Sequence, residues 1–344
     1  MNHLDQRAAL TDAILIRAGA AKIDSGCLHP GASGLVTDQG GVLKSLCESY
    51  GQAAQGVTGC SRMSILAAGL TSSDFRNALS SAMQKVTVSR MALGSSHRKI
   101  CQEIDVPNFK SNEFPLVDLD FLWEEVADGG EYNSDLRCVA GPGAIARLKF
   151  FGKNVLISRE VIVNDNIELL ARMFGAAGAT AVRHEGKLVY HLLESNPTLG
   201  DGEPMFHGDF GNIEAAALSA ASLGAAMGRL RNMKTPAGNV CDLAAAVLVV
   251  SAELEFAARD LVHGAGLAEI EVVSSAWLPA GRWYLTADPE QAPTIALLRL
   301  SGAPWGVSVV PRKSPQTFDG ICLGIRFSTG CVQLGRVGVI KGGA

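Results

Sequence analysis

The sequence predicts an α+β fold. Segments with a helical period and short apolar strands follow one another without the regular strand–helix alternation of a parallel sheet. The 344 residues suffice for about two domains. The hydrophobic fraction of 47% allows a large core, which excludes disorder as the main state.

Charge is scarce in this chain, and glycine is abundant. Charged residues make up 19% of the sequence, against about 25% in an average protein, and there are 38 glycines. The net charge of -4 does not indicate nucleic-acid binding by bulk attraction. So little charge suggests either a small polar surface or a surface covered by other molecules.

Neither a membrane span nor an export signal is expected. The longest apolar run, residues 243–250, is too short to cross a bilayer. Asp5, Arg7 and Asp12 interrupt the segment where a signal peptide needs an apolar core. The eight cysteines, which include no C-x-x-C pair, are therefore expected to be reduced, buried thiols.

Residues 1–112 predict short helices joined by turn residues. Two segments carry an apolar stripe at helical spacing. The first stripe comprises Val42, Leu43, Leu46, Cys47 and Tyr50, and the second comprises Phe75, Leu79, Met83 and Val86. Because such helices cannot bury much against one another, we expect an arm that packs on the rest of the chain or on a neighbour.

The next segment sorts its charges by sign. Residues 113–135 contain eight acidic residues and no base, whereas residues 136–159 contain five bases and no acid. Gly and Pro turns between these halves indicate a long two-stranded ribbon. Opposite charges would either face each other across the strands or match a partner surface. A solvated loop is the alternative interpretation.

A long helix is predicted from Asp165 to the Asn196-Pro197 stop. Asp165 and Glu168 resemble a capping box. About thirty helical residues would span on the order of 45 Å. Gly175, Gly178 and Gly186 within it indicate either close approach of another backbone or a kink.

The remaining sequence predicts a helix near residues 214–233 and a strand at 244–250. A helix capped by Ser251 follows, and it ends near Gly264. Short strands are then expected over 270–274, 282–286, 295–300 and 306–310, and a final strand pattern includes residues 321–327.

Catalytic motifs are weak in this chain. Residues 141–146 match G-x-G-x-x-A, but a strand is predicted after them where a dinucleotide site requires a helix. His184-Glu185 begins an H-E-x-x-H pattern whose last position is Leu188, so we interpret it as a charged helix face. No G-x-S-x-G motif occurs. Together these observations favour a protein that is not an enzyme and that uses no cofactor.

One loop contains residue types that suggest a metal site. Asp201, Glu203, His207 and Asp209 lie within nine residues and are of types that bind divalent metals. The glycines and the proline among them favour a structural turn. A metal-dependent α+β enzyme with ligands Asp201, His207 and Asp209 therefore remains an alternative.

Several short motifs, in this order and spacing, carry a resemblance to a known family. They include Gly129-Gly130-Glu131-Tyr132, Phe151-Gly152-Lys153, Ile157-Ser158-Arg159-Glu160, Ser195-Asn196-Pro197, residues 206–212, residues 283–289 and Phe318-Asp319-Gly320-Ile321. The chain resembles the major capsid proteins of tailed bacteriophages, which have the Hong Kong 97 fold. Within these it resembles the Mu-like major head subunit group, the capsid half of prohead protease–capsid fusions.

The resemblance implies a division of the chain into four parts. These are an N-terminal helical arm (1–112), an extended loop (113–157), a peripheral domain with a long spine helix (158–205 and 291–344), and an axial domain (206–290). Candidate inter-subunit contacts lie on the charged ribbon and just after it. They are Glu124, Glu125, Asp128, Glu131, Arg147, Lys149, Lys153 and Arg159.

The resemblance also implies a function. Copies of the chain would assemble as hexamers and pentamers into an icosahedral shell around double-stranded DNA. The partners would be other copies, a portal, a prohead protease, scaffold protein and DNA bound without sequence specificity, with no membrane. The protein would be assembled in the bacterial cytoplasm and reside in the virion. An encapsulin-like shell around protein cargo is a further alternative.

Overall fold

The computed structural model describes residues 3–21, 28–30, 32–36, 41–55, 62–93, 95–119, 138–235 and 238–343. Among these residues nine α-helices are formed: α1 (His3–Arg17), α2 (Ala32–Val36), α3 (Val42–Gln55), α4 (Arg62–Thr71), α5 (Ser73–Ala92), α6 (Arg159–Val163), α7 (Ile167–Ser195), α8 (Ala220–Arg231) and α9 (Glu255–Gly264).

The described residues also form twelve strands, which confirms the predicted α+β class. They are β1 (Gln102–Val106), β2 (Asn112–Leu119), β3 (Cys138–Ala146), β4 (Lys149–Ser158), β5 (Ile213–Glu214), β6 (Val247–Ser251), β7 (Glu271–Ser275), β8 (Trp283–Thr286), β9 (Ile295–Leu300), β10 (Val307–Arg312), β11 (Gly320–Gln333) and β12 (Val339–Gly342).

The chain divides into two compact units. The first comprises Met1–Gly94, Phe150–Arg183 and Gly302–Ser328, and the second comprises Ser95–Lys149, His184–Ser301 and Thr329–Ala344. The division into arm, extended loop, peripheral domain and axial domain describes roles in an assembly, and it stays a prediction.

The first unit is built on helices α1, α3, α5 and α7. The predicted stripes point inward, since Leu43, Leu46, Phe75 and Met83 are fully buried. They share one core with Phe174 of α7 and with apolar residues of β10 and β11. In the described residues the N-terminal helices therefore pack on the rest of the chain, which is one of the two alternatives left by the sequence.

Asp165 does not cap α7 as predicted. It has a left-handed backbone (φ 53°) in the turn before the helix. Its Oδ1 accepts a hydrogen bond at 2.6 Å from the backbone N–H of Leu43, and its Oδ2 pairs with Arg17. The capping-box prediction was wrong because partners distant in sequence occupy this carboxylate.

Helix α5 approaches α7 through a glycine. A Cβ on Gly178 would lie 2.4 Å from the carbonyl oxygen of Thr87 and 3.3 Å from Cβ of Arg90. Ordinary contact distances exceed 3.4 Å, so even an alanine would force the helices to shift. The conformational cost of glycine in a helix is thus offset by close packing.

The second unit contains a five-stranded sheet of order β5-β12-β8-β6-β7. Alternate residues of its central strands belong to two different cores. Val249 and Tyr284 pack with Val189 and Leu193 of α7 in one core. Residues Leu248, Val250, Trp283 and Leu285 pack with α8 and α9 in the other. Because both faces of the sheet are covered, β6 is buried along its whole length. This explains why its sequence is a nearly continuous apolar run.

A buried charge cluster also holds the second unit together. Glu185 of α7 is 0% exposed. Its carboxylate accepts a hydrogen bond from Arg98 Nη2 at 2.9 Å, and it lies 3.3 Å from His97 Nε2. Arg299 Nη1 is 3.5 Å away. The helix face at His184-Glu185 is charged, as predicted, but Glu185 is buried.

The environment of Glu185 keeps it ionised. Burial alone would raise its pKa. The hydrogen bond with His97 and the positive charges of Arg299 and Arg98 outweigh burial, so the pKa lies below its ordinary value. A carboxylate with a lowered pKa stabilises the folded state above its unfolded pKa, and this contribution is lost as the pH falls through the folded pKa.

We expect Glu185→Gln to lower the free energy of unfolding of the dissociated subunit by about 3 kcal/mol at pH 7, because it leaves buried arginines uncompensated. The difference from wild type should shrink as the pH falls from the unfolded pKa through the lowered pKa of the folded state, where the carboxylate becomes protonated. Urea denaturation across this pH range measures it. Glu168→Gln on the same helix, whose side chain is 70% exposed, is the control. A penalty that is independent of pH would contradict the assignment.

We expect Gly178→Ala to destabilise the subunit by about 1–3 kcal/mol through overpacking against Thr87. Gly224→Ala in α8 is the matched control, because nothing lies within 4 Å of a Cβ built there. It should stabilise the subunit by about 1 kcal/mol through helix propensity alone. Thermal unfolding of both variants compares them. Equal stabilisation of both would exclude a close helix contact at Gly178.

Candidate assembly surfaces

Strands β2 and β3 form the base of the predicted ribbon. They pair antiparallel from Asn112↔Ala146 to Leu119↔Cys138, with a register shift between Phe114 and Leu116. Pro115 falls at this shift, where a ladder hydrogen bond is absent anyway. A Cβ on Gly143 would lie 2.2 Å from the carbonyl oxygen of Phe114, so only glycine fits beside the bulge.

In the described part of the ribbon, the strand register places no base opposite an acid. Glu113 lies opposite Ile145, and Asp118 lies opposite Val139. Strand β3 itself contains no charged residue. In the described part of the ribbon the strand register therefore gives no support to cross-strand charge pairing, and matching to a partner surface stays a prediction.

The bases predicted as contact residues lie just after β3. Arg147, Lys149 and Lys153 are exposed, and none forms an ion pair with a carboxylate in the described ranges. Arg159 is half-buried, and its Nη1 lies 3.9 Å from Asp319 Oδ2. The acidic candidates Glu124, Glu125, Asp128 and Glu131 lie outside the described residues.

Exposed apolar side chains accompany these bases, and the sequence analysis missed them. Ile145 is 73% exposed, and Phe150 and Leu156 are also exposed. The sequence of β4 could have revealed them, because apolar residues lie on both of its faces. Phe150 and Leu156 lie on one face, and Phe151, Val155 and Ile157 lie on the other. A strand that is apolar on both faces needs a cover on both.

The second unit exposes further apolar side chains on helix α9 and around the central sheet. Phe256 of α9 is 84% exposed, and Trp277 and Val240 are exposed as well. Lys187 Nζ lies 5.4 Å from the centre of the Trp277 ring. Large exposed aromatic residues of this kind are typical of contact surfaces.

The candidate metal loop is organised by other contacts. Arg336 Nη2 donates to both carboxylate oxygens of Asp201, at 2.7 and 2.6 Å. His207 Nδ1 accepts a hydrogen bond from the backbone N–H of Asp209. Within the described residues no group of three or more His, Cys, Asp or Glu side chains could hold a metal ion.

The G-x-G-x-x-A residues and the cysteines occupy structural positions in the described part of the chain. The G-x-G-x-x-A residues lie within β3, which leads into another strand and not into a helix. Of the cysteines, Cys47, Cys101 and Cys322 are buried free thiols. Burial raises the pKa of Cys47 to about 12, which leaves this thiol unreactive at neutral pH.

Among the described residues, none of the helices is long and apolar enough to cross a membrane. The most apolar strand, β6, is five residues long and lies inside the sheet of the second unit.

The fold has relatives of known structure. A phage-related protein from Bordetella bronchiseptica is 9% identical, with a TM-score of 0.50, over 75% of this chain and 95% of its own. A virus-like particle from Pyrococcus furiosus is 11% identical, with a TM-score of 0.49, over 76% and 98% of the two chains. The procapsid of bacteriophage JBD30 is 15% identical, with a TM-score of 0.45, over 79% and 76%.

At such low identity these likenesses concern the fold alone, and only the Bordetella structure has a TM-score that supports it. No curated protein matches the chain. The sequence model of the phage capsid protein family matches residues 143–342, which is more than half of the chain. The chain therefore belongs to the phage capsid protein family, and both the α+β capsid fold and the capsid function implied by its resemblance to tailed-phage head proteins are confirmed.

Proposed function

We propose that copies of this chain assemble as hexamers and pentamers into an icosahedral shell that encloses packaged double-stranded DNA. Membership of the phage capsid family supports this proposal. The observation that carries it beyond the family is the segment from Ile145 to Leu156. It combines exposed apolar side chains with Arg147, Lys149 and Lys153, three bases without ion pairs to described carboxylates.

The mechanism is geometric. A contact between two different surfaces of identical subunits repeats around an axis and closes into a ring. In our proposal the ribbon and the bases after it form one side of such a contact, and Phe256, Trp277 and Val240 line others. A hairpin alone is marginally stable in water, so a ribbon of this length gains stability from a partner.

The role is structural and not catalytic. Portal, prohead protease and scaffold protein are the partners during assembly in the bacterial cytoplasm, and the mature protein resides in the virion. DNA binds through its phosphates without sequence specificity. The net charge of -4 keeps this contact weak.

Purified protein is expected to form rings or closed shells that electron microscopy detects, and shells from infected or induced cells should contain DNA. A protein that stays monomeric at high concentration across salt and pH would refute the proposal. Shells that contain a protein cargo instead of DNA would favour the encapsulin-like alternative.

Reversing three charges together, as Arg147→Glu, Lys149→Glu and Lys153→Glu, should impair assembly and leave folding intact. The three side chains are exposed, so folding does not depend on them. We expect a loss of about 2 kcal/mol per contact, or roughly thirtyfold in the association constant. Light scattering measures assembly, and thermal unfolding measures stability.

The control carries the same change in net charge at three other exposed lysines, as Lys110→Glu, Lys234→Glu and Lys313→Glu. It distinguishes the effect of where the charges lie from the effect of how many charges are reversed. If the first variant loses stability and assembly equally, the basic segment is an internal part of the fold.

A further inference from the structure

The first unit concentrates positive charge on helices α5 and α7. Residues 75–92 of α5 contain three bases and no acid, and residues 169–183 of α7 contain two arginines and no acid. The protein as a whole is acidic, with a net charge of -4. These two helices therefore depart locally from the charge balance of the chain, and a surface of this kind attracts anions.

A cleft of about 480 Å³ lies between these helices and the end of α1. Its charged lining consists of Arg17, Arg90, Arg172 and Glu168. Glu168 Oε1 lies 3.6 Å from Arg17 Nη2, and Arg17 also pairs with Asp165. The carboxylate of Glu168 thus already has a cationic partner, and the lining keeps the positive charges of Arg90 and Arg172.

Three arginines at this cleft pair with no carboxylate among the residues that the structure describes. They are Arg90, Arg172 and Arg183, and all three are exposed. Arg183 lies one turn after Ala179, which lines the cleft. Its Nε donates to the carbonyl oxygen of Ala179 at 3.4 Å, and its Nη2 donates to Thr180 Oγ1 at 3.2 Å. These bonds turn the third guanidinium back toward the cleft.

The packing of α5 on α7 holds Arg90 in place. A Cβ on Gly175 would lie 3.3 Å from Cγ and 3.5 Å from Nε of Arg90, so the arginine stem lies across the glycine. A guanidinium can donate two parallel hydrogen bonds to a phosphate. Because its stem is already positioned, Arg90 loses less side-chain entropy when it binds.

The three arginines are spaced along a length that suits a DNA strand. Arg172 and Arg183 lie about 16 Å apart along the axis of α7. This distance corresponds to the rise of roughly five phosphates along one strand of duplex DNA. Ala176 and Ala179 of the cleft floor are exposed. No bulky side chain of α7 therefore stands between an approaching phosphate and the guanidinium groups.

We propose that this cleft binds the phosphate backbone of duplex DNA through Arg90, Arg172 and Arg183. The inference rests on the capsid function proposed above and names a surface that contacts the DNA. Because guanidinium groups meet phosphates and not base edges, the contact is independent of sequence and depends strongly on salt. A regular polyanion can meet all three arginines at once, which favours DNA over an acidic protein segment.

The salt dependence of DNA binding tests the proposal. The cleft variant combines Arg90→Gln, Arg172→Gln and Arg183→Gln. Fluorescence anisotropy measures the binding of dissociated subunits to a labelled duplex of about 20 base pairs, between about 50 and 200 mM KCl. The slope of log K against log salt concentration should be shallower than in wild type by about 2.7, or about 0.9 for each lost phosphate contact. Arg172→Gln alone should change the slope by about 0.9.

The control variant removes the same number of charges at exposed lysines elsewhere, as Lys110→Gln, Lys234→Gln and Lys313→Gln. Its slope should stay within about 0.5 of the wild-type slope. Thermal unfolding verifies that each variant folds. Equal changes of slope in the control and the cleft variant would mean that binding follows total charge, and this result would overturn the proposal.

Two other results would also overturn it. If the cleft variant binds DNA like wild type but forms fewer particles, the cleft contacts another protein copy. If wild-type subunits assemble into shells but bind no DNA, the capsid proposal stands and the cleft is not a DNA site. Failure of the wild-type protein to form shells, with the expected slopes observed, would instead refute the capsid proposal and support the cleft as a DNA site.

Discussion

The packing of helix α7 is the constraint on which the rest of the structure depends. In the first unit Gly178 brings α5 within direct backbone contact, and Phe174 fills the shared core. In the second unit Glu185 is fully buried, and Arg98, Arg299 and His97 compensate its negative charge. A helix with three glycines and a buried carboxylate would be unstable by itself, so these residues are tolerated only because each has a specific partner.

The exposed apolar side chains explain how the chain can have so few charged residues. Several large apolar side chains are exposed, among them Ile145, Phe150 and Phe256. A subunit that buries such surfaces against its neighbours needs few charges to remain soluble. The charges it does have are sorted by sign along the sequence, and where the ribbon is described they do not neutralise one another.

Local patterns predicted most of the elements. The strand over 295–300 is found as β9 with the same bounds, and the long helix expected from Asp165 is α7, Ile167–Ser195. The apolar stripes of the N-terminal helices are buried as their period predicted. The predicted Ser251 cap failed, since its side chain makes no capping hydrogen bond and α9 begins at Glu255. Two other failures occurred where a side chain has a partner far away in sequence. Asp165 binds Arg17 and Leu43 instead of capping its own helix, and Glu185 binds residues 87 and 114 positions away.

The sequence by itself determined the α+β class, the position of the ribbon, the segregation of its charges and the resemblance to a capsid family. These properties reside in residue order and period, which are local. Only the tertiary structure decided which carboxylates are compensated, as at Asp165 and Glu185. It also decided which apolar side chains remain exposed. The physical reason is that burial and electrostatic compensation depend on distances between segments, and a single sequence does not specify these distances.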